Sequence, residues 1–314
     1  MQAYILRRLI LTIPVLLVVS FLVYSLLMLI PGDPVMAMLG EQFDQKLYDT
    51  VKHELGLDKP LWEQYPNWLW KAVQGDFGRS LRTREPVGPL IIQYLPRTMY
   101  LILFSMVVSL LIALPAAIIS ALRRNTWADM VASVGAMLGV AIPNFWLAIM
   151  MILVFSVHFR WFPVTGYVEP WKDPLLSLKH MVLPGVALGV ALAAEVTRQT
   201  RSGLVEVLEQ DYIRTAYAKG LGDRTVVLVH AMKNALIPVV TIVGLQMGRL
   251  FGGAVVIEAM FAIPGMGTLL VNGVLARDFR VVQPAVLVLT LAVLLSNLLV
   301  DVIYAYLDPR IKYT

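Results

Sequence analysis

Long apolar blocks alternate with polar stretches along this chain of 314 residues. A helix needs about 20 mostly apolar residues to cross the hydrocarbon core of a bilayer. The blocks that approach or exceed this length are 9–30, 98–122, 131–157, 181–196, 236–257 and 284–306. The pattern therefore predicts an all-α polytopic membrane protein with six transmembrane helices.

The polar stretches divide the chain into parts. Residues 1–30 are predicted to form an N-terminal tail and the first span, which reads as a retained signal anchor because no small-residue cleavage pattern follows it. Residues 31–97 are an extracytoplasmic segment, 98–306 a five-helix transmembrane core, and 307–314 a cytoplasmic C-terminal tail. Inside the core, the polar stretch 197–235 is predicted to be a cytoplasmic loop.

The extracytoplasmic segment is expected to be partly helical. Residues 44–55 and 61–73 carry helical spacing, and Gly56 and Pro60 separate them. The second helix is rich in aromatic residues, namely Trp62, Tyr65, Trp68 and Trp70. Such a helix is typical of the lipid headgroup level, and also of a surface that binds a partner protein. The two interpretations are compatible.

Basic residues set the predicted orientation, because short cytoplasmic loops carry an excess of Lys and Arg. With both termini in the cytoplasm, the inside set is Arg7, Arg8, Arg123, Arg124, Arg198, Arg201, Arg214, Lys219, Arg224, Lys233, Arg310 and Lys312. The short outside loops hold only Arg160, Lys172, Lys179, Arg277 and Arg280. Both termini are therefore predicted to be cytoplasmic.

Composition supports a membrane protein and argues against several other classes. Hydrophobic residues make up 58% of the chain and charged residues 15%, against about 25% charged in an average soluble domain. The net charge of +5 is spread between the apolar blocks, so it indicates membrane orientation and no nucleic-acid partner. There is no cysteine, which rules out disulfides and thiol chemistry.

No familiar catalytic motif is present. The sequence has no GxxxxGK[ST] phosphate-binding loop, so we expect that the chain is not itself an ATPase and that any energy comes from another subunit or from a gradient. The four histidines are scattered and form no HExxH pair, so we expect no zinc site; they are His53, His158, His180 and His230. We predict no catalytic residue and no metal ligand in this chain.

The tetrad Gly220-Leu221-Gly222-Asp223 matches the GxGD signature of intramembrane aspartyl proteases. That chemistry needs two carboxylates that share a proton, and Asp301 is the only other aspartate inside an apolar block. The conformational interpretation fits better: Gly220 ends one helix as its C′ residue, and Asp223 caps the next.

Ionisable residues within apolar blocks are candidates for function. Arg249 lies midway along the fifth span, so it should face protein or a water-filled path, and it is a candidate for lining the pathway. Glu195 and Arg198 are spaced to pair with each other. Glu258 and Asp301 lie nearer the membrane faces, where they should reach water.

Segment 202–238 is the most informative polar stretch. One helix is predicted from Leu204 to Ile213, a break at Gly220 and Gly222, a second short helix from Asp223, and the fifth span from Pro238. Small residues at the bend allow another protein to approach closely. The segment is interpreted as a docking surface.

This segment resembles the EAA-type coupling loop of ABC importer permeases, and the chain resembles the first permease of the dipeptide/oligopeptide/nickel family over nearly its whole length. The matching motifs are Pro31-Gly32-Asp33-Pro34, Leu55-Gly56-Leu57-Asp58, Gly75-Asp76-Phe77-Gly78, Asp211-Tyr212-Ile213-Arg214-Thr215-Ala216, Ala218-Lys219-Gly220, Pro264-Gly265-Met266-Gly267, Arg277-Asp278 and Asp308-Pro309-Arg310. The loop departs from the general pattern at two places, since no glutamate opens it and Asn234 stands where a proline is common.

The resemblance implies a type I ABC importer permease fold in the inner membrane of a bacterium or archaeon. It also implies the residues that couple to the ATPase, which are Asp211, Tyr212, Arg214, Thr215, Ala216, Ala218, Lys219 and Gly220. The implied partners are a second homologous permease, two ABC ATPase subunits and an extracytoplasmic solute-binding protein. The chain itself would hold no cofactor, because the ATPase subunits bind ATP and magnesium.

The function predicted from these features is ATP-driven uptake of di- or oligopeptides through a pathway shared with the second permease. Glutathione, nickel chelates and opine or sugar conjugates are alternative solutes. A gradient-driven secondary transporter is the competing class, although such folds commonly show internal repeats and none is found here. The intramembrane aspartyl protease is a third hypothesis.

Overall fold

The computed structural model describes residues 2–29, 45–54 and 58–307, which are almost entirely helical. In chain order the helices are α1 Gln2–Leu29, α2 Gln45–Glu54, α3 Leu61–Val73, α4 Val87–Leu122, α5 Trp127–Ala141, α6 Asn144–Met151, α7 Pro174–Leu208, α8 Asp211–Ala218, α9 Asp223–Thr225, α10 Met232–Ala235, α11 Ile237–Phe261, α12 Met266–Leu275 and α13 Phe279–Leu307. Two segments are wider π-helices. Ile152–His158 extends α6, and Val226–Ala231 joins α9 to α10.

Some of the sequence motifs fall outside this description. They are Pro31-Gly32-Asp33-Pro34, Leu55-Gly56-Leu57 and Asp308-Pro309-Arg310, together with the basic residues Arg310 and Lys312. Helices α2 and α3 confirm the helical segments predicted at 44–55 and 61–73.

Within the described residues, four helices are long and apolar enough to cross a membrane: α4, α7, α11 and the Phe279–Val300 part of α13. The pair α5–α6 passes the same criterion jointly, which makes five spans if the pair counts as one. The predicted first span coincides with α1, whose described apolar part is Ile10–Ser25. The count of six therefore stays a prediction.

The predicted third span, 131–157, is not one straight helix. Helix Trp127–Ala141 and the helical segment Asn144–His158 meet at an angle of 107°. Pro143 causes this break, because its ring disfavours helical geometry in the residue before it. Ile142 accordingly adopts an extended conformation, with φ −80° and ψ 123°.

Helices α4 and α7 extend well beyond the predicted apolar blocks. Helix α4 begins at Val87, and α7 runs without interruption from Pro174 to Leu208. The start of α7 is fixed by Asp173, whose carboxylate accepts the Leu176 N–H at 2.9 Å. Proline at the first helical position suits that start, and the helix continues through the internal Pro184 to Leu208.

The described residues divide into two compact units. Those of the first lie within Met1–Leu6, Met99–Ile263 and Leu295–Thr314, and those of the second within Arg7–Thr98 and Pro264–Leu294. In the first unit, α7 packs against α5, α6 and α11, and against α4 at Gly189. Glycines allow this close packing: a Cβ atom at Gly189 would lie 2.6 Å from the Ser105 carbonyl oxygen, and one at Gly253 would lie 2.8 Å from Leu188.

The second unit has its own apolar core, in which Val87 and Met266 are fully buried. Helix α3 packs on α1 through part of its aromatic set: the Tyr65 ring lies 5.3 Å from Phe21, and the Trp68 ring lies 5.5 Å from Tyr24. The other tryptophans, Trp62 and Trp70, remain exposed. Helix α3 is therefore amphipathic, as both interpretations of it require.

Candidate functional site

The predicted docking segment contains one more break than the sequence indicates. A single helix was expected from Leu204 to Ile213, and this is wrong, because α7 ends at Leu208 and α8 begins at Asp211. Gln210 between them is extended, with φ −73° and ψ 149°. The acidic Asp211 in the first turn of α8 suits the positive end of the helix dipole. The turn places Leu204 and Ile213, both fully buried, in one cluster.

That cluster, which we call the α8 cluster, holds α8 against the ends of the long helices. Its buried members are Ala121, Leu204, Ile213, Ala216, Val226, Ala231, Met232 and Ala235. They come from α4, α7, α8, the π-helical turn and α10. Because protein interiors are close-packed, the cluster fixes the position of α8 relative to α4 and α7.

The predicted coupling residues separate into two groups. Ala216 is 8% exposed and packs in the α8 cluster, so the expectation that its small side chain faces a partner is wrong. The seven others are exposed, namely Asp211, Tyr212, Arg214, Thr215, Ala218, Lys219 and Gly220. Helical periodicity explains the difference, because Ile213 and Ala216 are three residues apart and share the inner face.

The bend after α8 is confirmed as a glycine C-cap. Gly220 has φ +78°, a left-handed conformation that glycine adopts without strain. Its N–H donates to the Tyr217 carbonyl at 2.9 Å, and the Leu221 N–H donates to the Ala216 carbonyl at 3.4 Å, which together form a Schellman motif. Asp223 does begin a short helix, but as its first residue; the N-cap position belongs to Gly222.

Side-chain bonds tie the segment to neighbouring elements. The Asn234 amide donates to the Tyr212 hydroxyl at 2.8 Å, so the residue that replaces the usual proline anchors α8. The Arg124 guanidinium lies 2.8 Å from the Glu209 carboxylate, and both side chains are exposed. Burial and the nearby Asp223 carboxylate raise the pKa of the Tyr217 hydroxyl.

A buried polar centre that the sequence did not indicate lies close to this segment. The Asp129 carboxylate accepts Arg201 Nε and Arg201 Nη2, both at 2.7 Å, the Ser120 hydroxyl at 2.5 Å and the Asn125 backbone N–H at 3.0 Å. It joins α4, α5 and α7. A lone aspartate beside an apolar block was the available signal, but its partner lies 72 residues away.

Arg249 has a carboxylate partner. Its Nη1 lies 3.5 Å from Glu195 Oε1 and donates to Gln246 Oε1 at 3.2 Å, and the Gln246 amide also donates to Glu195 Oε2. The pairing of Glu195 with Arg198 is replaced by this contact. Glu258 is fully buried, so the expectation that it reaches water is wrong. The side chain of Asp301 lies outside the described part of the structure.

One face of α11 is open, and Arg249 lies at its middle. The exposed positions recur about once a turn, at Pro238, Thr241, Leu245, the adjacent Gly248 and Arg249, Gly252, Val256 and Ala259. The opposite face is tightly packed, since a Cβ atom at Gly244 would lie 2.2 Å from Val300.

Three of the histidines, His53, His158 and His180, take part in local contacts. His53 Nδ1 lies 2.7 Å from Asp58, and this hydrogen bond lowers the pKa of the Asp58 carboxyl. His180 Nδ1 lies 2.8 Å from the Leu176 carbonyl, and the His158 ring lies 4.8 Å from that of Phe159. Across the described residues, no group of three or more His, Cys, Asp or Glu side chains is placed to hold a metal ion.

The motifs Pro264-Gly265-Met266-Gly267 and Arg277-Asp278 make hydrogen bonds that hold the second unit together. The Asp278 carboxylate accepts the Ser80 hydroxyl at 2.5 Å and the Leu81 N–H at 3.1 Å. The Met266 N–H donates to the Thr98 hydroxyl at 2.8 Å, and the Arg97 guanidinium donates to the Pro264 carbonyl at 3.3 Å.

The long apolar helices define a membrane protein, and comparisons with known proteins define its class. Residues 113–313 match the family of binding-protein-dependent transport system inner membrane components, and residues 1–102 match the N-terminal part of the membrane component of such systems. The chain belongs to this family and is a permease subunit of an ABC importer, which confirms the resemblance found in the sequence.

Individual relatives align along the whole chain. The chain is 41% identical over 334 residues to the dipeptide transport system permease protein DppB of Alkalihalophilus pseudofirmus, with 100% of both chains covered. It is 42% identical over 313 residues to the glutathione transport system permease protein GsiC of Escherichia coli strain K12 and of Shigella dysenteriae, again with 100% of both chains covered.

Proposed function

We propose that this chain and a second, homologous permease together form the pathway of an ATP-driven importer for di- or oligopeptides or related solutes. The substrate class is supported by the relatives, whose names specify a dipeptide and glutathione, both small peptides. The observation that carries the mechanism is α8, a short exposed helix seated on the α8 cluster.

The partners are two ABC ATPase subunits and an extracytoplasmic solute-binding protein. The ATPase subunits hold ATP and magnesium, and this chain catalyses no reaction. The exposed face of α8 and the residues of its cap form the contact with an ATPase subunit, through Asp211, Tyr212, Arg214, Thr215, Ala218, Lys219 and Gly220. Ala216 supports this face from inside the chain.

Force applied to α8 reaches the membrane through the α8 cluster, which joins α8 to α4 and α7. The Asp129–Arg201 bond stabilises the assembly of α5 with α7 and is not itself part of this connection. Closure of the ATPase subunits would therefore move these helices together, a rigid-body switch between inward and outward opening. Arg249, on the open face of α11, lines the pathway.

The proposed topology has six spans, with α1 as the first, both termini in the cytoplasm and residues 31–97 outside. The chain contains no cysteine, so single cysteines report the sides of the membrane cleanly. A cysteine at Gln74 should react with a membrane-impermeant thiol reagent in intact cells, and one at Ala128 should be protected. Reaction at Ala128 with protection at Gln74 would reverse the topology.

Reconstitution tests the proposal as a whole. The complex with both permeases, ATPase subunits and loaded binding protein should take up a dipeptide when ATP is supplied, and collapse of ion gradients should leave the uptake unchanged. Omission of the ATPase subunits should abolish it. Uptake by this chain alone, driven by an ion gradient, would establish the secondary-transporter alternative instead.

A further inference from the structure

The open face of α11 presents a charged group at the centre of an apolar helix. Arg249 lies twelve residues after Ile237 and twelve before Phe261, and its side chain is 77% exposed in the subunit. A guanidinium at this depth cannot face hydrocarbon without a large penalty, so it faces protein or water. The exposed face of α11 therefore lies toward a cavity or toward the partner permease.

The polar neighbours of Arg249 orient its guanidinium but occupy only some of its N–H donors. Both described contacts of the guanidinium, with Gln246 and Glu195, are made through Nη1. A guanidinium has five N–H donors in a planar fork, so the rest of the fork is outside these contacts. Glu195, by contrast, is 23% exposed and has both carboxylate oxygens engaged. The group available to a ligand is the guanidinium.

The surroundings of Arg249 leave room for a ligand. Gly248 precedes it and Gly252 follows one turn later, and both are exposed. A Cβ atom added at Gly252 would have no heavy atom within 4 Å. A planar fork beside two side-chain-free positions suits a carboxylate, which accepts two parallel N–H bonds.

We propose that Arg249 binds the C-terminal carboxylate of a peptide during its passage, with Gln246 and Glu195 as positioning residues. The proposal rests on the function proposed above. Glu195 also favours release of the ligand, because its carboxylate competes with the peptide carboxylate for the positive charge of Arg249. The guanidinium returns to Glu195 when the peptide leaves. A transport site must bind weakly enough to let go.

The test compares two probes in the complete reconstituted complex, alanyl-alanine with a free carboxylate and its C-terminal amide, each saturating the binding protein. Arg249→Gln should lower uptake of the free acid about tenfold or more, the loss expected for a charge-assisted hydrogen bond, and should lower amide uptake far less. Arg249→Lys, which keeps the charge without the fork, should fall between.

Arg198→Gln is the matched control, since it removes the same charge from an exposed position one turn beyond Glu195, and its acid-to-amide ratio should equal that of the unaltered chain. The proposal is overturned if Arg249→Gln lowers both rates equally, if Arg198→Gln changes the ratio as much, or if Arg249→Gln separates the two permeases, which would place a partner carboxylate at this site. An unaltered complex that takes up neither peptide would overturn the proposed function itself, and this inference with it.

Discussion

Two carboxylate–guanidinium pairs use residues of the same helix, α7, only six positions apart, yet they differ in the number and length of their bonds and in their exposure. Arg201 makes two bonds of 2.7 Å to Asp129, and the two side chains are 31% and 8% exposed. Glu195 meets Arg249 at a single distance of 3.5 Å, and Arg249 is 77% exposed.

The difference separates a structural role from a functional one. The Asp129 carboxylate has four donors and little access to solvent, so its hydrogen-bonding capacity is satisfied within the fold. Arg249 has an open side at the centre of a membrane helix. Ion pairs of the first kind hold helices together, whereas an open charge in a membrane protein indicates a pathway or an interface.

The largest effect on stability is expected from Asp129→Ala. The change leaves Arg201 without its carboxylate at the junction of α4, α5 and α7, which should cost about 3 kcal/mol of unfolding free energy. The melting temperature of the purified complex should fall clearly. The control is Glu209→Gln, which breaks the exposed pair with Arg124 and should cost about 1 kcal/mol or less. Equal losses in the two variants would contradict the contrast between buried and exposed pairs.

Helix α8 contains a similar contrast between a buried residue, Ala216, and an exposed one two positions later, Ala218. Ala216→Glu places a carboxylate in the α8 cluster and should cost about 2–3 kcal/mol, because the longer side chain relieves only part of its burial by bending outward. Ala218→Glu, on the exposed face, should leave the melting temperature unchanged.

The two glutamate variants should also differ in how they affect ATPase association, measured by co-purification. Ala218→Glu should weaken binding of the ATPase with the fold intact, whereas Ala216→Glu should lose binding together with stability. Normal ATPase binding and ATP-coupled uptake with Ala218→Glu would remove α8 from the docking surface.

A smaller loss is expected from Gly220→Val. A Cβ atom there has no heavy atom within 4 Å, so the penalty is the left-handed backbone alone, about 1–2 kcal/mol. Gly220→Asn is the matched variant, since asparagine tolerates this conformation, and it should retain nearly full stability and uptake. If both variants lose uptake equally, the absence of a side chain at Gly220 matters more than its backbone geometry.

Local features of the sequence were predictable where the cause is local. Gly220 and the start of a helix at Asp223 follow from short-range backbone preferences, and the long apolar blocks follow from periodicity and length. The burial of Ala216 was not predicted, because a small residue fits equally well in a core and in a docking face. The choice depends on the turn at Glu209 and Gln210, which sets the helical phase of α8.

Long-range pairing explains the other misses. The Asp129–Arg201 bond joins residues 72 positions apart, and the Gln246–Glu195 bond joins residues 51 apart, so no spacing rule brings them together. Pro143 was visible in the sequence, but one proline hardly changes a hydropathy value averaged over a window, so the bend was not predicted.

The most direct test of the contrast between the two pairs is the initial rate of ATP-driven uptake of a free-acid dipeptide, divided by the amount of assembled complex. Asp129→Asn should reduce the amount of complex, while each assembled complex transports at nearly the unaltered rate. Arg249→Gln should leave the amount of complex unchanged and lower the rate per complex about tenfold or more. The opposite pattern, a normal rate per complex with Arg249→Gln and a collapsed rate with Asp129→Asn, would contradict the assignment of one pair to structure and the other to transport.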